Sequence, residues 1–322
     1  MKIDPKKNSI NIVAYHYIRE IKNSKFKNLK GIEYNFFKKQ IKFYKKKFNI
    51  ISPDDLIEIL NKKKRYKKPC LLLTFDDGYI DHYKYVFPLL VKEKIKGCFY
   101  PPIDIFKGKV LDVNKIHFIL EKCQDTLMLF NTLKLYLKKN YKLNINKEKL
   151  KKINSISKIN PISIPEYDDA STILIKKLLQ NYLPAEIRKN ACNFLFKKFV
   201  KIDLKTFSKQ LYLNLKQLKE MDKAGMHIGC HGVNHVRWKT WSFKKQLKEI
   251  KESKKFFDKK KINTKNFSVC YPWGSYNQNS AKVLKKLNIK FGLTSDHGNF
   301  TVNKKSNKYK LPRFDANDFL KV

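Results

Sequence analysis

Short apolar runs alternate with amphipathic stretches at both ends of the chain, and the spacing of the apolar positions separates the two. INIVAYH (10–16) reads as a strand. Phe37, Ile41, Tyr44 and Phe48 follow at spacings of four, three and four, which places them on one helical face with lysines on the other. CLLLTF (70–75) is a continuous apolar run suited to a strand buried on both faces, DHYKYVFPLLVKEK to the helix behind it, and IKGCFYPP to the next strand. Beyond residue 215 the order continues as helix LKQLKEMDKAG, strand MHIGCHG, helix WSFKKQLKEIKESKKFF, strand NFSVCYP, helix NQNSAKVLKKLN and strand IKFGLTS. Alternation of this kind predicts an α/β fold with a parallel sheet and helices outside it, either a barrel or a doubly wound sheet.

Residues 108–212 break the rhythm. LDVNKIHFILEKC, TLMLFNTLKLYLKKNYKL and STILIKKLLQNYL all carry helical spacing, with no buried strand between them. The chain therefore divides into 1–107 with 213–322, and a helical insertion over 108–212 placed to act as a cap; INPISIPEYDD (159–169) predicts a loop within it.

At 322 residues, with 42% hydrophobic and 13% aromatic content, the chain can bury a full core. Its formal charge of +43 invites a nucleic-acid or anionic-membrane reading. Arginine, the better residue for bidentate phosphate and base contacts, occurs only at 19, 65, 188, 237 and 313. The lysines therefore read as a solvated surface and predict no specific nucleic-acid partner; peripheral contact with an anionic membrane stays open. Six cysteines at 70, 98, 123, 192, 230 and 270 form no C-x-x-C, and predict buried reduced thiols. The first residues lack the apolar core of a signal peptide, and the expectation is a cytoplasmic protein.

LLLTFDDGY (71–79) sets two adjacent carboxylates and a glycine where an apolar strand ends, the ligand-binding end of a parallel α/β fold. An ordinary Asp-Gly turn would explain the same letters. MHIGCHGVNHVRW (226–238) puts His231 and His235 four apart after another strand, a spacing that lets both imidazoles meet one metal if the segment turns helically. Two histidines and one carboxylate leave coordination positions open, as catalytic sites do. His227 is expected to be a core histidine and His82 the start of a helix.

TFDDG, H-x-x-x-H and CYPWGSYN (270–277), in that order, resemble the three main motifs of the polysaccharide deacetylase family (NodB homology, carbohydrate esterase family 4), over about residues 10–107 and 213–318. The resemblance implies a distorted (β/α)7-type barrel of the glycoside hydrolase/deacetylase kind. It implies Asp76 as general base, Asp77, His231 and His235 as ligands of a divalent metal, Zn²⁺ by the family's habit, and the amide N–H of Trp273 as an oxyanion donor. Tyr271, Pro272, Arg313 and His16 become expected substrate contacts. Three departures stand out. Gly232 replaces the hydroxyl residue that follows the first histidine in the family, Cys270 replaces an arginine that steadies the base, with Arg313 as a stand-in, and the general-acid histidine is not recognisable, leaving His16, His297 and His117. The function implied is metal-dependent removal of N-acetyl groups from an amino sugar in a glycan, glycolipid or nucleotide-linked intermediate of surface-polysaccharide assembly. The alternative is a catalytically idle metal- or glycan-binding protein on the same fold.

Overall fold

The computed structural model describes residues 9–64, 66–146, 149, 170–303 and 307–319. They form two compact units, one of the residues up to Glu20 with Lys30–Lys109 and those from Ser208 onward, the other of Ile21–Leu29 with Val110–Phe207.

In the first unit the apolar run at 70–75 becomes the strand Cys70–Asp76, buried at every position. It pairs in parallel along its length with Ile10–Tyr15, from Ile10 opposite Cys70 to Tyr15 opposite Phe75. Phe314–Asp315 adds to the far side of Ile10–Tyr15, and Asn49–Ile50 to the start of Cys70–Asp76. Cys98–Tyr100 and then His227–Ile228 extend the sheet in the other direction, again in parallel. Single bridges carry the pairing onward: Cys230 to Val269, in the strand Val269–Cys270, which pairs with Gly292–Leu293, and Leu293 to Leu311. The parallel strands thus follow one another in chain order back to Phe314–Asp315. Isolated bridges replace continuous ladders at two joints, so the result is a distorted, incomplete (β/α) barrel.

Amphipathic helices cover it. Tyr34–Lys47 buries Phe37, Gln40, Ile41 and Tyr44. Phe243–Lys259 starts where Lys245 N–H donates to the Ser242 hydroxyl, and buries Ile250 and Phe257. The stretch expected to form one helix after Asp81 is wider at first, a π-turn over His82–Val86 running into Phe87–Lys92. Pro88 has no N–H for the Lys84 carbonyl, and Phe87 N–H reaches back to His82 instead.

The second unit is helical, with Asp112–Lys122, Thr126–Tyr141, Ala170–Lys177 and Ala185–Phe199 among its elements. Ile116, Ile119, Leu133, Leu137, Leu195 and Phe196 supply its core. Phe26 packs edge-on against Phe118 with centroids 4.6 Å apart, which ties the short segment Ile21–Leu29 to these helices. No helical or strand period marks that segment in the sequence. The expected loop at 159–169 lies outside the described residues. Among the described residues no helix is long and apolar enough to cross a membrane.

Two histidines of the first unit, His82 fully buried and His227 partly so, give its stability a pH dependence. His82 Nε2 is 2.8 Å from the His16 carbonyl and His227 Nε2 2.7 Å from Ser268 Oγ. Burial pushes both imidazoles down to about 4. As pH falls from about 6.5, the unfolded chain takes up protons that the folded one refuses, so stability declines until the folded groups titrate near 4. Each contributes on the order of 2–3 kcal/mol across that window. Urea unfolding of chelator-treated protein should give a clearly lower midpoint at pH 5 than at pH 7.5, and His227→Gln should flatten part of the difference. Equal midpoints would contradict burial of the uncharged rings.

Candidate metal centre

Asp76 ends the strand Cys70–Asp76, where Phe75 is stacked between Tyr15 and Phe99 at 5.3 and 4.8 Å. The next two residues leave the strand through left-handed conformations, φ 72° at Asp77 and 69° at Gly78. A Cβ on Gly78 would lie 2.6 Å from Ile105 Cδ1 and 2.7 Å from Pro101 Cβ, so the turn needs glycine for space as well as for φ. The two carboxylates consequently diverge, Asp76 toward Arg313 and Asp77 toward the histidines.

Asp77 Oδ1 lies 3.6 Å from His231 Nε2 and 3.4 Å from His235 Nε2. Asp77 Oδ2 accepts a 2.6 Å hydrogen bond from the Tyr79 hydroxyl, whereas Oδ1 is buried with no hydrogen-bond partner among the described residues. His231 Nδ1 is 2.7 Å from the Cys270 carbonyl. A carbonyl can only accept, so Nδ1 carries the hydrogen and Nε2 is turned to Asp77 as a free ligand atom. Burial pushes His235 down to about 3, against the pull of Asp77, so this ring is uncharged at neutral pH. One carboxylate oxygen and two imidazole nitrogens, all within 4.8 Å of one another, suit a divalent cation, which would satisfy the orphaned Oδ1. Asp76, His231 and Cys270 also lie within that distance. Burial, the largest influence on Cys270, holds its thiol protonated, so the Asp77 set is the better ligand group.

The histidine pair is reached differently from the helical turn that the spacing suggests. Residues 231–238 form no helix; left-handed conformations at Gly232 (φ 74°) and His235 (φ 56°) fold the segment back. In place of the absent hydroxyl after His231, Glu249 from the helix Phe243–Lys259 accepts the Val233 N–H at 2.7 Å. Neither Glu249 nor Tyr79 stood out in the sequence. Glu249 looks like any charged helix position until the loop docks on it, while the placement of Tyr79 two residues after Asp77 was the one available signal.

Asp76 is held by Arg313, Nη2 to Oδ2 at 2.8 Å and Nη1 to Oδ1 at 3.1 Å, with the Cys270 thiol 3.4 Å from Oδ2. Burial raises the carboxyl's pKa, but Arg313, then His231 and His16, outweigh it and leave the carboxyl well below the usual range. His16 Nε2 is 4.0 Å from Asp76 Oδ2, and its side chain is 45% exposed, so it stands at the solvent side of the carboxylate. Trp273 takes φ 61°, donates its indole N–H to the His235 carbonyl at 3.1 Å, and carries the Arg237 guanidinium 4.4 Å over its ring.

Other expected residues lie elsewhere or do something else. Tyr271 and Pro272 are buried, and the Tyr271 hydroxyl donates to the Tyr309 carbonyl, so the Tyr271 side chain is packed into the core. Arg313 is 5% exposed and paired with Asp76. His297 meets Asp318 at 3.0 Å and packs on Phe314. His117 belongs to the helix Asp112–Lys122 of the second unit.

Since Tyr79 fixes the orientation of Asp77, Tyr79→Phe should bind Zn²⁺ about 10-fold more weakly in competition with a chromogenic chelator. Asp77→Ala should lose binding in the same assay. Unchanged affinity in Tyr79→Phe would mean that the hydroxyl does not orient the ligand.

Residues 181–292 match the family model described as polysaccharide deacetylase. Among curated proteins, YxkH of Bacillus subtilis is 29% identical over 94 residues, 29% of this chain and 33% of the relative. The poly-β-1,6-N-acetyl-D-glucosamine N-deacetylase of Staphylococcus aureus is 29% identical over 114 residues, 33% of this chain and 39% of the relative. The matched stretch thus spans between a third and two fifths of these relatives. The fold resembles the Streptococcus pyogenes deacetylase PplD solved in complex with acetate (TM-score 0.57, 19% identity, 96% of this chain and 93% of that one). It also resembles the BpsB deacetylase domain from Bordetella bronchiseptica (TM-score 0.56, 14% identity, 98% of each chain). Over residues 181–292 this chain is thus similar to the polysaccharide deacetylase family, and its fold resembles that of solved deacetylases.

Proposed function

We propose that this chain is a divalent-metal-dependent hydrolase that removes N-acetyl groups from amino sugars of a glycan or glycan precursor. The observation that carries the reading is the pairing of an unsatisfied Asp77 Oδ1, between His231 and His235, with a second ionised carboxylate, Asp76, on the adjacent residue. An idle binding protein has use for the first and none for the second.

Asp77, His231 and His235 would hold the cation, for which the two-nitrogen, one-oxygen donor set favours Zn²⁺. When bound, such a cation acts as a Lewis acid that acidifies a water molecule and polarises an amide carbonyl. Asp76 accepts the proton of the attacking water as the C–O bond forms at the acetamide carbon. Arg313 keeps Asp76 ionised and so available as an acceptor, while making it a weaker base. The Trp273 backbone N–H donates to the developing oxyanion. His16, the histidine beside Asp76 that is open to solvent, delivers a proton to the departing nitrogen as the C–N bond breaks. The products are acetate and the free amine.

The substrate named for the Staphylococcus aureus relative makes poly-β-1,6-N-acetyl-D-glucosamine the first polymer to test, with N-acetylated oligosaccharides and nucleotide-linked N-acetyl sugars for the biosynthetic setting. Acetate release, assayed with metal content, should appear for wild type and fall at least about 100-fold in Asp76→Asn with metal retained. Metal bound equally by both proteins, with no acetate from either on any substrate, would favour the idle-binder alternative.

A further inference from the structure

We propose that His82 is a positioning residue that holds the main chain at His16, and with it the proton donor beside Asp76. The inference rests on the deacetylase reading above, in which His16 protonates the departing nitrogen.

His16 stands just beyond the end of its strand. The parallel ladder between Ile10–Tyr15 and Cys70–Asp76 closes at Tyr15 opposite Phe75, and His16 lies outside it. Its side chain is 45% exposed, so packing does little to place the ring. The 4.0 Å between His16 Nε2 and Asp76 Oδ2 therefore depends on how the backbone of residue 16 is held. Tyr15 and Tyr17, both buried, anchor the chain on either side. His82 Nε2 lies 2.8 Å from the His16 carbonyl, and this contact fixes the plane of the peptide between His16 and Tyr17.

The ring that makes the contact is itself firmly set. His82 is fully buried, with the ring centroids of Phe75, Tyr79 and Phe99 at 5.6, 5.6 and 5.9 Å. Its amide N–H donates to the Tyr79 carbonyl at 3.0 Å, where the π-turn His82–Val86 begins, and such turns recur at functional sites. Burial keeps the imidazole uncharged at neutral pH, so the ring carries a single N–H. A carbonyl only accepts, so that hydrogen sits on Nε2, and Nδ1 is left buried with no hydrogen-bond partner among the described residues. A leucine or phenylalanine would fill this aromatic-lined space without burying an unsatisfied nitrogen. What the imidazole adds is the hydrogen bond to His16.

The test has two arms. In the Zn²⁺-loaded enzyme, His82→Phe, which fills the space without a donor, should keep wild-type metal content. Its kcat for acetate release should fall about 10-fold, with KM within about threefold of wild type. His82→Gln, whose side-chain N–H can replace that of Nε2, should return to within about threefold of the wild-type rate. On a His16→Ala background, His82→Phe should change kcat by less than about twofold, because the donor it serves is gone. An equal loss with and without His16, a loss confined to KM, or a wild-type rate in His82→Phe would overturn the proposal; His82→Leu takes its place if the phenylalanine variant does not fold. The second arm needs no turnover. In chelator-treated protein with ¹³C in the histidine carbonyls and ¹⁵N in the tyrosines, the His16 carbonyl signal should move upfield in His82→Phe and stay near its wild-type position in His82→Gln. An unmoved signal in His82→Phe would also overturn the proposal. No acetate from wild type would fail the deacetylase reading itself, and the carbonyl signal would still decide the His82–His16 contact.

Discussion

Two adjacent carboxylates sit at the end of a strand that is buried at every position, and burying an ionised carboxylate without compensation is prohibitive. Asp76 and Asp77 are 2% and 3% exposed, yet both are held below the usual carboxylate range. Each finds a main partner of its own, with His231 near both. Asp76 draws Arg313 in from the end of the chain. Asp77 draws Tyr79 from its own turn and two imidazoles from the loop after His227–Ile228, with one oxygen left over for a cation. The order of the parallel strands brings these suppliers together: the strand Cys70–Asp76 has Ile10–Tyr15 and then Phe314–Asp315 on one side, and Cys98–Tyr100 and then His227–Ile228 on the other.

The second physical theme is local backbone strain. Asp77, His235 and Trp273 all take left-handed conformations that side chains with a Cβ adopt reluctantly. Each is tied down by neighbours. Asp77 N–H donates to the Tyr100 carbonyl, the His235 carbonyl accepts the Trp273 indole N–H, and Trp273 packs against both the His235 ring and Arg237. Such bends turn short loops into fixed frames, which suits a site whose ligand atoms must converge without rearrangement.

The lysine excess stands apart from this chemistry. Within the site the positive charge paired with a carboxylate is Arg313, and the lysines nearest in sequence, such as Lys239 and Lys245, decorate exposed positions.

Patterning alone was enough for the alternation of strands and helices, because a run buried on both faces and a 3.6-residue period are properties of neighbouring residues. The resemblance of three short motifs then marked Asp76, Asp77, His231 and His235, since these stand next to strand ends that the pattern also marks. The tertiary structure decided the rest. It placed Arg313 on Asp76 from 237 residues away, set Glu249 under the histidine loop, turned Tyr271 into the core, drew Ile21–Leu29 to the second unit, and left His16 beside Asp76. Those relations depend on which strands become neighbours and which residues bend left-handed, and neither leaves a period in the sequence. What the chain determined locally was where carboxylates and imidazoles would emerge from the barrel; which partners would meet them was settled by packing, because a buried charge takes its counter-group from whatever segment the fold brings within reach.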